Sequence, residues 1–195
     1  MHIISMYIFI MQSETARTYI TAHEQWLWSY RLARHIAASR WKPDTIVGLY
    51  RGGIFPAIVI EDYFASIGDK TIHFPLCCCS YAEDKAESAS TDVIVHDIPS
   101  YALQSIGNWK NVLIVDDICD TGKTIIAVKK KLLSICQSTL DVRSACLIWK
   151  RDVLGQVAQP TWWSKEAQAN EWIIFPHEFC EVDLSIKLKH ECSLS

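Results

Sequence analysis

Apolar residues recur along the chain with the spacings that helices and buried strands require. Trp28, Leu32 and Ile36 repeat at helical intervals, so this segment is predicted to be a helix. Residues 21–24 have the pattern of a capping box, in which a threonine accepts a backbone hydrogen bond and a glutamate returns one. The helix is therefore expected to begin after this box and to end before Pro43.

Five apolar segments are predicted to be strands. The run at residues 45–50 is continuously apolar, which is typical of a strand covered on both faces. Two further helices are predicted, one that Pro56 opens and that runs towards Gly68, and one over residues 124–136. The other strands are predicted at residues 72–77, 112–115, 142–149 and 172–175.

Strands that alternate with helices in this way predict an α/β fold with a doubly wound parallel sheet. Such sheets bind ligands at the carboxyl ends of their strands. The turn at residues 51–53 and the segment 116–124 each follow a predicted strand, so both are expected to face one crevice. Residues 80–91 are polar and lack periodicity, which predicts a long mobile loop.

Composition limits the class of protein. Of the 195 residues, 50% are apolar and 21% are charged, which excludes a disordered chain. The formal net charge of −3 gives no basic surface for nucleic acid. The length fits a single domain over residues 1–195.

The N-terminus is apolar but too short to span a bilayer, and it lacks the basic flank and cleavage site of a signal peptide. We therefore expect no membrane partner. Residues 1–15 are predicted to be either an extra strand or a leader before a start at Met11, and the sequence leaves both alternatives open.

The cysteines follow neither the spacing of a zinc site nor that of a disulfide framework. Cys77, Cys78 and Cys79 are consecutive, and no CxxC pair occurs. Most of the eight cysteines are therefore expected to be small buried hydrophobic residues in a reducing cytoplasm.

The segment 112–124, VLIVDDICDTGKT, joins a buried strand to two carboxylates and a turn of small residues. Backbone N–H groups in a turn that opens a helix can surround a phosphate, and Thr121 and Thr124 can add hydroxyl donors. Asp116 and Asp117 are acceptors only, which suits a pair of adjacent hydroxyls. Together these groups describe a site for a ribose 5-phosphate.

A nucleoside triphosphate P-loop is excluded, although the letters DTGKT resemble part of one. That pattern needs a glycine five positions before Gly122, and Asp117 stands there. A carboxylate would repel the β-phosphate, so neither a kinase nor an ATPase is expected.

The segment resembles the phosphoribosyl pyrophosphate (PRPP) motif of type I phosphoribosyltransferases. The resemblance implies that Asp116 and Asp117 hold the ribose hydroxyls. Asp120 is the predicted catalytic residue, as the group that takes the proton from the attacking purine nitrogen; alternatively it only positions the purine. The 5′-phosphate is expected to bind to Asp120, Thr121, Gly122, Lys123 and Thr124.

Residues 48–57 are similar to the pyrophosphate loop of the same family. Arg51 and Gly52 stand where the family has a basic residue followed by glycine, and the backbone there is commonly a non-proline cis peptide. Ser80 and Tyr81 resemble the Ser-Tyr pair on the mobile loop of the purine enzymes. That loop closes over the reacting centre and excludes water.

The C-terminal third resembles the purine enzymes of the xanthine, guanine and hypoxanthine group. In those enzymes a lysine at the position of Lys150 donates to the purine O6. An aromatic residue at the position of Trp172 stacks on the ring, and the main chain at Ile173 binds the ring edge. The N-terminal segment and residues 150–180 are expected to form a small base-binding hood.

The resemblance implies transfer of the phosphoribosyl group from PRPP to a 6-oxopurine, which gives a nucleoside 5′-monophosphate and pyrophosphate in purine salvage. It implies Mg²⁺, held by Asp116, Asp117 and Glu178 together with PRPP oxygens. It also implies a homodimer or homotetramer in the cytoplasm, with small-molecule substrates as the other partners.

Two positions depart from the family pattern. Ile174 stands where xanthine and guanine enzymes can have an acid that meets the 2-substituent of the purine, and His177 stands where many relatives have tryptophan. The choice among guanine, xanthine and hypoxanthine therefore stays open. Two alternative functions also stay open, a PRPP-binding regulator without catalysis and a phosphoribosyltransferase for a non-purine acceptor.

Overall fold

The chain forms a six-stranded sheet with helices on both faces, and a separate two-stranded sheet. The computed structural model describes residues 17–80, 93–136 and 139–178. The strands are β1 Arg17–Tyr19, β2 Thr45–Tyr50, β3 Ile72–Ser80, β4 Val93–Val95, β5 Asn111–Cys119, β6 Asp141–Lys150, β7 Trp162–Ala167 and β8 Trp172–Ile174. The helices are α1 Ala22–Ala38, α2 Ile54–Ser66, α3 Ser100–Leu103 and α4 Lys123–Ile135, and a 3₁₀ turn covers Ile106–Asn108.

The large sheet has the strand order β4-β3-β2-β5-β6-β7. All neighbouring strands in it are parallel except β4, which runs antiparallel to β3. Side chains of β5 alternate between the two faces. Leu113 and Val115 pack in the core that contains α1 and α2, whereas Val112 and Ile114 pack in the core that contains α4. The predicted doubly wound α/β fold is confirmed.

The start of α1 follows directly from the sequence. The backbone N–H of Glu24 donates to the Thr21 hydroxyl over 3.1 Å, and the Thr21 N–H donates to the Glu24 carboxylate over 2.9 Å. This is the predicted capping box. Leu32 and Ile36 are buried against the sheet, as the helical spacing requires.

The strand boundaries differ from the prediction at the centre of the sheet. β5 continues to Cys119, because β6 is long enough to pair with it as far as Trp149. Asp116 and Asp117 therefore lie inside β5 rather than after it. In α2, Pro56 is the third residue instead of the first, and Gly53 is the N-cap.

The C-terminal strands differ more. β7 has no counterpart in the prediction, because only its first and last residues are buried and no apolar periodicity marks it. β8 pairs with β1 in the two-stranded sheet and not with the large sheet, where a last strand was expected. This small sheet joins the N-terminal segment to part of the range 150–180, the two regions of the predicted hood.

Residues 1–15 and residues 81–91 of the predicted mobile loop, Tyr81 included, lie outside the described residues, whereas Ser80 is the last residue of β3 and not the first of a loop. The prediction that most cysteines are buried is wrong for the described residues, in which only Cys119 and Cys146 are buried and Cys78 and Cys136 are half-buried. Cys77 and Cys79 are exposed, because both point away from the core at the end of β3. Within the described ranges, no helix is long and apolar enough to cross a membrane.

Candidate functional site

Two adjoining cavities lie at the carboxyl end of β5. The first, of about 400 Å³, is lined by Val93 and by residues 116–125. The second, of about 240 Å³, lies beside the turn after β2 and is lined by Arg51 and Gly52, among others. The cavities share part of their lining. The shared residues are Val93, Asp116, Asp117 and Thr124.

The turn after β2 lies directly against the acidic pair. The Tyr50–Arg51 peptide bond is cis, the geometry that the family resemblance implied. A side chain at Gly52 would overlap the carboxylate of Asp117, and one at Gly53 would overlap the main chain of Val115. The two glycines thus allow the turn to approach β5 closely, which brings both predicted ligand-binding turns into one crevice.

The two acids of β5 are held by backbone donors. The Asp117 N–H donates to Asp116 Oδ1 over 3.0 Å, and the Ile118 N–H donates to Asp117 Oδ1 over 2.8 Å. Burial, followed by the charge of Asp117, raises the pKa of Asp116 well above its usual range. Burial also raises the pKa of Asp117, although His177 Nε2, 3.9 Å from its Oδ2, acts in the opposite direction.

These two carboxyls lie in surroundings that lack sufficient compensating positive charge. A ligand that offers hydroxyl donors or a cation would relieve this deficit, because both stabilise an ionised carboxylate. The raised pKa values are therefore what a binding site for a diol or a divalent cation is expected to have before it binds its ligand.

The turn between β5 and α4 has a compact backbone. Gly122 is the N-cap of α4 with φ +77°, a conformation that glycine adopts without cost. The Lys123 N–H donates to the Thr121 hydroxyl over 3.3 Å. The turn packs against the loop before β7, where a side chain at Gly122 would overlap the carbonyl oxygen of Ala158.

Lys150, the last residue of β6, lies beside this turn. Its Nζ is 3.1 Å from Asp120 Oδ1. The lysine is buried, with 8% of its surface exposed, while 48% of the Asp120 side chain is exposed. Lys150, which is predicted to bind the purine O6, thus forms an ion pair with Asp120, which is predicted to accept the proton of the purine.

Trp172 and Ile173 lie in the small sheet. Ile173 is buried and is in register with Thr18 of β1, whereas 48% of Trp172 is exposed. None of Lys150, Trp172 and Ile173 lines the two cavities above. The structure therefore brings Lys150 to the turn between β5 and α4, while the exposed ring of Trp172 lines neither cavity.

Glu178 lines the smaller cavity with Asp116 and Asp117. Its Oε2 accepts the Phe175 N–H over 2.7 Å, which closes a short turn after β8. Within the described ranges, no three His, Cys, Asp or Glu side chains come together as a metal site. The oxygen donors present fit Mg²⁺ only as partial ligands, so most of its coordination would come from substrate oxygens and water.

The residues of the site that the sequence analysis missed include Val93, Cys78 and Gln156. Val93 lines both cavities, and Cys78 lines the smaller one, where burial and then the charge of Asp116 raise the pKa of its thiol to about 12. Alternation along β3 would have placed Cys78 on the same face as Leu76. Gln156, which donates to the main chain of Asp120 and Lys150, gives no signal in the sequence.

Comparison with protein families gives a match over most of the chain. The family described as "Phosphoribosyl transferase domain" matches residues 28–183. The curated protein Xanthine phosphoribosyltransferase 1 of Saccharomyces cerevisiae is 28% identical over 122 residues, which cover 58% of this chain and 58% of the yeast protein. The match thus spans less than two thirds of that relative.

Two of the solved structures that are similar to this chain show the likeness. One is a purine phosphoribosyltransferase from Pyrococcus horikoshii Ot3, with a TM-score of 0.60 and 23% identity over 83% of this chain and 94% of the other. The second is the xanthine-guanine-hypoxanthine phosphoribosyltransferase of Helicobacter pylori, with a TM-score of 0.65 and 21% identity over 89% of this chain and 99% of the other. At these identities, the likeness shows a shared fold.

Proposed function

Because the chain belongs to the phosphoribosyltransferase domain family, we propose that it is an enzyme that transfers the 5-phosphoribosyl group of PRPP to a 6-oxopurine. The products are a nucleoside 5′-monophosphate and pyrophosphate. The single observation that supports this proposal best is the crevice itself. In it the Arg51–Gly52 turn and the acidic pair adjoin the turn of residues 120–124, which we call the phosphate turn.

PRPP has three parts that need different partners, and the crevice offers one set for each. The 5′-phosphate is assigned to the turn formed by residues 120–124, whose main-chain N–H groups open α4. The ribose hydroxyls are assigned to Asp116 and Asp117, and the pyrophosphate to Arg51 and Gly52. The shared lining of the two cavities supports this order, because Asp116 and Asp117, which line both, lie between the turn after β2 and the turn before α4.

Asp120 and Lys150 are assigned to the purine. When the purine nitrogen attacks C1′ of the ribose, the C1′–N bond forms, the bond from C1′ to pyrophosphate breaks, and the nitrogen loses its proton. Asp120 is the group that accepts this proton. Lys150 donates a hydrogen bond to O6, and its ion pair with Asp120 keeps the two groups beside each other.

Mg²⁺ is proposed as the cofactor, bound by Asp116, Asp117 and Glu178 with PRPP oxygens. Bound there, it would neutralise the charge of the leaving pyrophosphate. Asp116 and Asp117 orient the ribose by accepting hydrogen bonds from its hydroxyls. Arg51 adds a second positive charge beside the leaving group.

A 6-oxopurine is favoured over other bases by the chemistry of Lys150, an ammonium that has only hydrogens to donate. It matches the carbonyl at C6 of hypoxanthine, guanine and xanthine and does not match the amino group of adenine. The name of the yeast relative, Xanthine phosphoribosyltransferase 1, also supports a 6-oxopurine. Trp172, half exposed, is assigned to stack on the ring.

We place the enzyme in the cytoplasm and assign it a dimeric or tetrameric state. Its cytoplasmic location is supported by the six cysteines within the described ranges, which are all free. Oligomerisation is supported by an apolar cleft of about 760 Å³ beside the pyrophosphate turn, where Tyr50, Phe55 and Ile58 are exposed.

The test is turnover with a panel of bases. The protein is mixed with PRPP and Mg²⁺ and with hypoxanthine, guanine, xanthine, adenine, orotate or uracil in separate reactions, and pyrophosphate and nucleotide are measured. Turnover with one or more 6-oxopurines is expected. Turnover with orotate or uracil alone would keep the PRPP site and overturn the roles of Lys150 and Trp172. PRPP binding without turnover would indicate a regulator instead of an enzyme.

A further inference from the structure

The side-chain amide of Gln156 donates hydrogen bonds to the main chain of two residues assigned to the purine. Its Nε2 lies 2.9 Å from the carbonyl oxygen of Asp120 and 3.0 Å from that of Lys150. The side-chain amide nitrogen of glutamine carries two N–H groups. Gln156 therefore uses both of its donors to link these two residues.

The two hydrogen bonds of Gln156 lie directly beyond the last paired residues of β5 and β6. β5 and β6 pair in parallel as far as Cys119 and Trp149, which immediately precede Asp120 and Lys150. Gln156 continues the connection between the two main chains by one residue. The side chains of the same two residues form the ion pair of 3.1 Å, so the bridge fixes the separation of the groups that meet there.

Gln156 is itself held by a tight turn. Its N–H donates to the Val153 carbonyl over 3.1 Å, and Gly155 within the turn has φ +76°. The next residue, Val157, donates its N–H to the Thr121 carbonyl over 2.8 Å. The turn is thus attached to the phosphate turn by main-chain hydrogen bonds that do not depend on the glutamine side chain.

We propose that Gln156 is a positioning residue, which keeps Lys150 in register with the phosphate turn and so sets the distance between bound purine and bound PRPP. This inference rests on the proposed function. Gln156 acts through Lys150 and Asp120 and touches neither substrate. Its loss is expected to affect the purine more than PRPP, because the Val157 N–H still holds the phosphate turn.

The test compares Gln156→Met with wild type by steady-state kinetics. Methionine has nearly the length of glutamine and no N–H donor. The purine KM is expected to rise about tenfold, the effect of losing two ordinary hydrogen bonds, while the PRPP KM changes by less than about threefold. Gln104→Met, at the exposed C-cap of α3, is the matched control and is expected to leave both constants unchanged.

A second comparison separates positioning from a general structural role. If Gln156 acts through Lys150, Gln156→Met adds little to the purine KM of Lys150→Ala, because no ammonium remains to be positioned. Independent, multiplying effects of the two changes would overturn the proposal. If Gln156→Met does not fold, Gln156→Glu, which keeps the shape and replaces the donor with an acceptor, is measured and the same purine defect is expected.

The failure of this inference is distinguishable from failure of the proposed function. An active wild type with an unchanged purine KM in Gln156→Met would overturn the positioning role alone. A wild type inactive with every base would overturn the proposed function, and the positioning role with it.

Discussion

The ammonium of Lys150 lies 3.1 Å from the carboxylate of Asp120, and this pair joins the end of β6 to the turn that follows β5. Removing one partner has different consequences for each residue. Lys150 is buried and depends on Asp120 for its compensating charge, whereas the half-exposed Asp120 retains contact with water. The pair is where the proposed proton transfer and the proposed recognition of the base come together.

Asp120→Asn is expected to lower kcat by roughly 10²-fold or more, the usual contribution of a general base. The amide has the shape of the carboxylate but cannot accept the proton. PRPP affinity is expected to change little, because the main-chain N–H groups of the turn remain. Steady-state kinetics with both substrates measures this, and Tm is followed because Lys150 loses its partner. An unchanged kcat would contradict the role of Asp120.

Lys150→Ala is expected to raise the KM for 6-oxopurines by about tenfold or more, the value of a charge-assisted hydrogen bond. The KM for PRPP is expected to stay within about threefold, because the lysine does not line the two cavities. Lys131→Ala, which removes the ion pair with exposed Asp97, is the control. Equal effects on both substrates would argue against recognition of O6 by Lys150.

Gly52→Ala is expected to abolish PRPP binding without unfolding the protein. The new methyl group would overlap the Asp117 carboxylate, so either the turn or the acid has to move. Gly107→Ala introduces the same methyl group where no heavy atom lies within 4 Å, and it should behave as wild type. Calorimetric titration with PRPP and Mg²⁺ measures the difference, and tight binding to Gly52→Ala would refute the close packing of turn and acid.

Asp116→Asn is expected to make the protein more stable and to remove its activity. Burial and the charge of Asp117 raise the pKa of Asp116, so the folded state retains a proton at a pH where the unfolded chain has lost it. The wild-type free energy of unfolding should therefore rise as the pH falls towards the ordinary aspartate value and fall as the pH rises.

The asparagine variant removes this dependence. Its Tm is expected to exceed that of wild type by roughly 2–4 °C at pH 8, the effect of about 1 kcal/mol in a chain of this size, and the difference should shrink towards pH 4. Asp62→Asn, at an exposed position of α2, is the control. If lowering the pH from 8 to 5 makes the wild type less stable but leaves the variant unchanged, the claim that an ionised Asp116 destabilises the fold is contradicted.

The sequence was sufficient to predict β2, β3, β5 and β6, the helices α1, α2 and α4, and a tight turn before α4, because each has a local signal. The apolar run of β2 and the capping box at Thr21 are examples, and both are found as predicted. β7 has no such signal. It is an edge strand whose middle residues are polar, and it is a strand only because β6 offers it a partner.

The remaining features of the site depend on contacts between distant parts of the chain. Gln156 stands 36 residues from Asp120 in a loop without periodicity, so no local pattern could relate the two. The fit of Gly52 against Asp117 depends in the same way on how closely two strands and their turns approach. Sequence motifs indicate which residue types are present, whereas the distances between them are set by the tertiary packing.

The account depends most on the claim that the two turns and the acids between them form one PRPP site. Calorimetric titration of PRPP with Mg²⁺ into wild type, Lys150→Ala and the double variant Asp116→Asn/Asp117→Asn tests it directly. We predict one PRPP per chain for wild type and Lys150→Ala, and no measurable binding to the double variant. Equal binding of PRPP to all three proteins would contradict the claim.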